Sequence, residues 1–145
     1  MTVYLLDVNV LVALIWPVHE SHKRAMDWFE RESKEGWATC PLTQAALVRI
    51  ISNPAFSPDA VSVQEAVNLL ATNLRHPRHQ FWEDDLDYAQ AARPFAQRLV
   101  GHQQVTDAYL LALAMHRKGK LATMDRGIFG LSGEKGAGRG AVELI

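Results

Sequence analysis

The sequence predicts an α/β domain built on a mostly parallel sheet, and three observations carry that prediction. Short apolar runs alternate with longer amphipathic ones. Gly, Pro and Asn-Pro breakers separate the runs. No repeat and no Pro/Ser-rich linker divides the 145 residues, so one core spanning residues 1–145 is expected.

Each element has its own signal. Val3 to Leu6 reads as a short buried strand. Asn9 to Trp16 is apolar and helical, stopped by Pro17. Glu20 to Lys34 places Ala25, Trp28 and Phe29 on one face and charges on the other, which predicts an amphipathic helix broken by Gly36. Trp37 to Cys40 suits a second strand. Thr43 to Ile51 follows as a helix, closed by Asn53-Pro54. Ser62 opens a helix carrying Val63, Ala66, Val67, Leu70 and Leu74 at helical spacing. Gln80 to Trp82 suits a third strand, and His76 and His79, flanking Pro77, suit a turn. Leu86 to Leu99 reads as a helix bent near Pro94. Thr106 to His116 is the clearest helix. Lys120 to Met124 and Ala141 to Ile145 read as the last strands, with Gly-rich Gly130 to Gly140 between them as a mobile loop.

Composition narrows the function classes. Hydrophobic content of 48% with 21% charged residues is ordinary for a soluble globular protein. No apolar run approaches the roughly 20 residues that span a bilayer. Met1-Thr2-Val3 lacks the basic start of a signal peptide. Cys40, the single cysteine, excludes an intrachain disulfide and argues against a cysteine-built zinc site. A cytoplasmic protein is the expectation. A formal net charge of −1 gives no support for gripping a polyanion through global charge. Nucleic acid would have to be held by local basic residues and metal, or a basic partner protein would cover an acidic cleft.

Three aspartates stand where strands end or helices begin. Asp7 follows Val3-Tyr4-Leu5-Leu6. Asp107 opens Ala108-Tyr109-Leu110-Leu111-Ala112-Leu113-Ala114. Asp125 follows Leu121-Ala122-Thr123-Met124. Taken singly, each is as well explained as a cap or turn former. Taken together they fall at one edge of a parallel sheet, where α/β crevices lie. Carboxylates at contact range repel by about 4 kcal/mol per pair at intermediate dielectric. A hard divalent cation, Mg²⁺ or Mn²⁺, relieves that repulsion and points to metal-assisted phosphodiester chemistry.

These stretches, together with Cys40-Pro-Leu-Thr-Gln-Ala-Ala-Leu-Val-Arg49-Ile, give the chain a resemblance to the PIN-domain nucleases, and among them to the VapC-type toxins of toxin–antitoxin pairs. The resemblance covers essentially the whole chain. It implies a small α/β fold, Mg²⁺- or Mn²⁺-dependent endoribonuclease activity on RNA, a homodimer and a cognate antitoxin partner. It places the metal-binding and catalytic aspartates at Asp7, Asp107 and Asp125, the last through water or a second ion. Asn9 and Thr106 become candidate donors behind those ligands, balanced by ordinary capping. One position departs from the pattern: the family's second acidic residue falls on Gln44. A glutamine orients water through its carbonyl oxygen but supplies neither negative charge nor a base.

Other residues invite weaker readings. Arg49 lies five residues beyond Gln44, about 140° around a helix, so it need not share that face; phosphate, an antitoxin carboxylate or a structural ion pair are its options. Lys135 and Arg139 suit RNA contact only if their loop flanks the cleft. His19 and His22 lack an HExxH context for zinc. Glu83, Asp84, Asp85 and Asp87 read as a solvated run before a helix, and the four tryptophans as core or interface anchors. Two further functions compete with the nuclease. A non-catalytic PIN-like module that binds RNA or protein is kept open by Gln44. A haloacid-dehalogenase-like phosphatase with Asp7 as nucleophile fits least, because its Asp-x-Asp motif is here Asp-Val-Asn.

Overall fold

The computed structural model describes residues 1–145, apart from the side chain of Ala137. Five strands form one sheet: β1 (Tyr4–Leu6), β2 (Trp37–Thr39), β3 (His79–Phe81), β4 (Lys120–Thr123) and β5 (Val142–Leu144). Their order is β3-β2-β1-β4-β5, and every neighbouring pair is parallel. Parallel strands need helical crossovers, and those helices cover both faces. This is why β1 is buried along its whole length and carries no polar alternation.

The pleat sorts the strand residues between two cores. Tyr4, Leu6, Trp37 and Ala122 face α1 (Val8–Ile15), α2 (His22–Glu32), α3 (Pro41–Ile51) and α4 (Val63–Leu74). Leu5, Ala38, Leu121 and Val142 face α5 (Tyr88–Ala92), α6 (Val105–His116) and α7 (Phe129–Ser132). Residues Ala108 to Ala114 of α6 are all buried, so this helix is apolar around its full circumference. Strand β3 lies at the edge and is mostly exposed.

Several boundaries differ from the sequence reading, each for a local reason. The helix expected over Leu86 to Leu99 is reduced to α5, because Pro94 lacks an N–H and the chain tightens into a 3₁₀ turn over Arg93–Phe95. Gly130 to Gly140 is not one open loop. It carries the end of α7 and α8 (Ala137–Gly140), with Ile128 and Leu131 buried as anchors. His79 belongs to β3, not to a turn. Gly36 takes φ +126°, the left-handed region that lets α2 and its 3₁₀ extension turn directly into β2. Among the described residues no helix is long and apolar enough to cross a membrane.

Candidate active site

The chain runs from β1 outward through β2 and β3, then returns to place β4 on the other side of β1. Strand order therefore reverses between β1 and β4, and the crevice beyond their carboxyl ends is the expected site in such a sheet. Asp7 leaves β1 there and Asp125 follows β4.

Asp7 caps α1. Its Oδ1 accepts from the Val8 amide at 2.7 Å, and its own amide donates to the Ala122 carbonyl of β4 at 2.9 Å. Oδ2 accepts from the Thr123 hydroxyl at 2.8 Å and, at the long limit of 3.5 Å, from the Asn9 side chain. Asn9 also donates to Thr123 Oγ1 at 3.2 Å and accepts the Met124 amide at 3.1 Å. The Asp125 amide donates to the same Thr123 oxygen at 3.1 Å, and Asp125 Oδ1 caps the following 3₁₀ turn through the Gly127 amide at 2.8 Å. Thr123 is thus the hub that joins Asp7, Asn9 and Asp125. It is fully buried, and the sequence reading treated it only as part of a strand motif.

The electrostatics show an unbalanced cluster. Burial pushes the Asp7 carboxyl up, the Thr123 and Val8 hydrogen bonds pull it down, and the Asp125 charge raises it again. Asp107, in the first turn of α6, is pushed up to about 6, chiefly by burial and then by the charges of Asp7 and Asp125. Asp7 therefore feels the charge of Asp125, and Asp107 feels those of Asp7 and Asp125. Among the described residues no three His, Cys, Asp or Glu side chains converge closely enough to hold an ion by themselves. The donor set suits Mg²⁺, which keeps several waters and takes one or two carboxylates together with substrate phosphates.

A PIN-domain family model matches residues 4–132. The chain belongs to the PIN-domain family. It is 42% identical to ribonuclease VapC38 of Mycobacterium tuberculosis over 131 residues, which cover 90% of this chain and 91% of that protein. Ribonuclease VapC39 of the same species is 38% identical over 141 residues, covering 97% and 98%. Among solved structures, VapBC2 of Rickettsia felis, bound to a DNA fragment from their promoter, superposes with a TM-score of 0.59 at 15% identity, covering 88% of this chain and 91% of that one. FitAcB of Neisseria gonorrhoeae gives 0.52 at 20% identity, covering 86% and 88%. At these identities the two structures show the fold alone.

Within this PIN domain the remaining candidates separate. Gln44 donates through Nε2 to Thr39 Oγ1 at 2.9 Å and makes no hydrogen bond to any of the three aspartates. Arg49 is exposed, and an open groove of about 600 Å³ is lined by both Gln44 and Arg49, with Pro41, Val48, Val63 and Leu70. Among the described residues Arg49 makes no ion pair. Thr106 is exposed and its side chain joins no hydrogen bond of the cluster. Asp87 caps α5, and Asp85 pairs with Arg117 just past the far end of α6, so neither substitutes for Gln44. His22 contacts the Ala13 carbonyl and His19 accepts the Ser21 amide, both local structural roles. Arg139 stacks over Phe129 at 4.6 Å. Trp28, Trp37 and Trp82 are buried, in line with anchoring roles.

Proposed function

We propose that this PIN domain is a divalent-metal-dependent endoribonuclease, the toxin of a toxin–antitoxin pair, acting in the cytoplasm as a homodimer. The observation that carries the reading is the set of Asp7, Asp107 and Asp125 at the switch point, where Asp125 raises Asp7, both raise Asp107, and none of the three makes an ion pair among the described residues. The relatives named ribonucleases, alike over nearly the full chain, support the same chemistry. The names of the two structural neighbours support an antitoxin partner.

Asp7 and Asp107 would hold Mg²⁺ or Mn²⁺ directly, with Asp125 acting through water or a second ion. Such an ion, when bound, makes a coordinated water acidic and neutralises charge on the scissile phosphate. The Val8 amide and the Thr123 hydroxyl oppose the upward push of burial on Asp7 and fix its direction. Asn9 holds Thr123 and the Met124 amide, so the ends of β1 and β4 stay in register. The Asp125 carboxylate would position the attacking water. Arg49 offers an exposed cation to RNA phosphate or to an antitoxin carboxylate.

The test is incubation of cellular RNA with wild type, Asp7→Asn and Asp107→Asn, in Mg²⁺, Mn²⁺ or EDTA. Discrete cuts by wild type, abolished by EDTA and reduced at least about 10²-fold by either variant, are expected. Gln44 favours a second reading, a module that binds RNA without cutting. Folded, antitoxin-free wild type that binds RNA but leaves it intact in every condition would establish that reading instead.

A further inference from the structure

Gln44 sits at the end of a hydrogen-bonded chain that begins on the edge strand. The chain runs from His79 of β3 to Thr39 of β2 to Gln44 of α3. His79 Nε2 lies 2.8 Å from Thr39 Oγ1, and Gln44 Nε2 lies 2.9 Å from the same oxygen. Thr39 is fully buried, and the Trp37 ring lies against the His79 ring with centroids 4.7 Å apart, which fixes the imidazole plane.

Proton counting sets the polarity of this chain. Gln44 meets Thr39 Oγ1 through its amide nitrogen, which only donates, so the one hydroxyl proton of Thr39 is left for His79 Nε2, and the ring proton then sits on Nδ1. Burial pushes His79 below the usual histidine range, with the neighbouring His76 adding to the effect, which favours the neutral ring. A neutral ring with Nδ1–H has a bare Nε2, which must accept. The single proton of the Thr39 hydroxyl therefore points at His79. Thr39 Oγ1 then has only lone pairs for Gln44, which matches the amide nitrogen facing it. The carbonyl oxygen of Gln44 is the end left over, and it takes no hydrogen bond among the described residues.

The place where this happens matters. Leu5 pairs with Ala38, so Thr39 lies level with Leu6, one residue short of Asp7. Neighbouring strands are about 4.8 Å apart, so the chain ends at the carboxyl edge of the sheet one strand from Asp7. We propose that His79 is a positioning residue: acting through Thr39, it locks the Gln44 amide with its oxygen outward, as an acceptor for water of the acidic site. Reversed, the same amide would offer N–H groups to that water. This rests on the nuclease reading for its purpose but not for its geometry.

Two sets of measurements test it. Long-range ¹H–¹⁵N spectra of the histidines report the His79 tautomer, and Gln44 side-chain amide signals report its bond to Thr39. An Nδ1–H tautomer is expected, with the Gln44 amide signals shifted in both Thr39→Val and His79→Phe. In His79→Gln, whose carbonyl replaces Nε2 as acceptor, they return toward wild type. Trace Mn²⁺ should broaden the Gln44 amide in wild type and not in Asp7→Asn. In cleavage assays Thr39→Val and His79→Phe should lower kcat about 10-fold with little change in KM, and His79→Gln should recover most of it. An Nε2–H tautomer, a Gln44 amide indifferent to Mn²⁺, or a His79→Gln no better than His79→Phe with both folded, would each overturn the proposal. If wild type cuts no RNA, the nuclease reading fails, while the tautomer and broadening still decide the relay.

Discussion

Asp107 shows how a candidate site carboxylate is held at a cost to the fold. Its pKa of about 6 lies above the ordinary 3.8, with burial as the first cause and Asp7 and Asp125 after it. Between roughly pH 4 and 6 the native state therefore binds more protons than the unfolded chain. Stability of the metal-free protein should fall as pH rises through that window, and the penalty is fully present above it. Asp107→Asn removes the charge, with a small loss at the N-terminus of α6, where the helix dipole favours an anion. Discounted for solvent screening of a partly exposed group, the gain of the variant over wild type in chemical denaturation in EDTA at pH 7 should be about 1 kcal/mol, and it should vanish near pH 4. At this scale the sequence reveals residue types at chain positions. It picks out Asp7, Asn9, Asp107 and Asp125, and leaves Thr123 unnoticed as the hub, because a threonine ending a strand looks like any β-former. It also offers Thr106 as a donor, which its exposed side chain does not fulfil.

The elements that carry these residues are joined by tight connections, and the turn from α6 into β4 is the tightest. Lys118 takes a positive φ of 58°, and Gly119 follows it directly into the strand. A Cβ on Gly119 would lie 2.4 Å from the Val3 carbonyl oxygen and 2.7 Å from the Trp82 ring. A backbone carbonyl cannot swing aside, so Gly119→Ala must displace β1 or β4 near their amino ends. Urea denaturation should show a loss of about 1–3 kcal/mol, the usual range for an overpacked site. The same scale explains what the sequence misreads. Apolar periodicity through Leu86 to Leu99 suggests one helix, but the missing amide of Pro94 outweighs it. Glycine content suggests an open loop after Gly130, but Ile128 and Leu131 reach the core and draw α7 and α8 onto the body.

Taken whole, the molecule places three aspartates from distant parts of the chain at one crevice, by reversing strand order between β1 and β4. On the proposed reading, a cation bound there would stabilise the native state by mass action, because the unfolded chain has no assembled site. Thermal melts of wild type should rise with Mg²⁺ or Mn²⁺ at millimolar concentration. Asp7→Asn and Asp107→Asn should lose that rise, and Arg49→Ala should keep it, since Arg49 lies in the groove beside α3 and not among the aspartates. An equal shift in every variant would mean that the ions act elsewhere.

The sequence by itself determined the α/β class, the parallel strands, and the aspartates at strand ends and helix starts. Those properties follow from local periodicity and breakers, which act over a few residues. Only the tertiary structure decided that Thr123 binds Asp7 across 116 positions of sequence, and that His79 reaches Thr39 across 40 and through it Gln44. Such contacts depend on strand register and on which neighbour each strand acquires. No spacing along the chain encodes either, because both are settled by how two apolar faces of one sheet are buried at the same time.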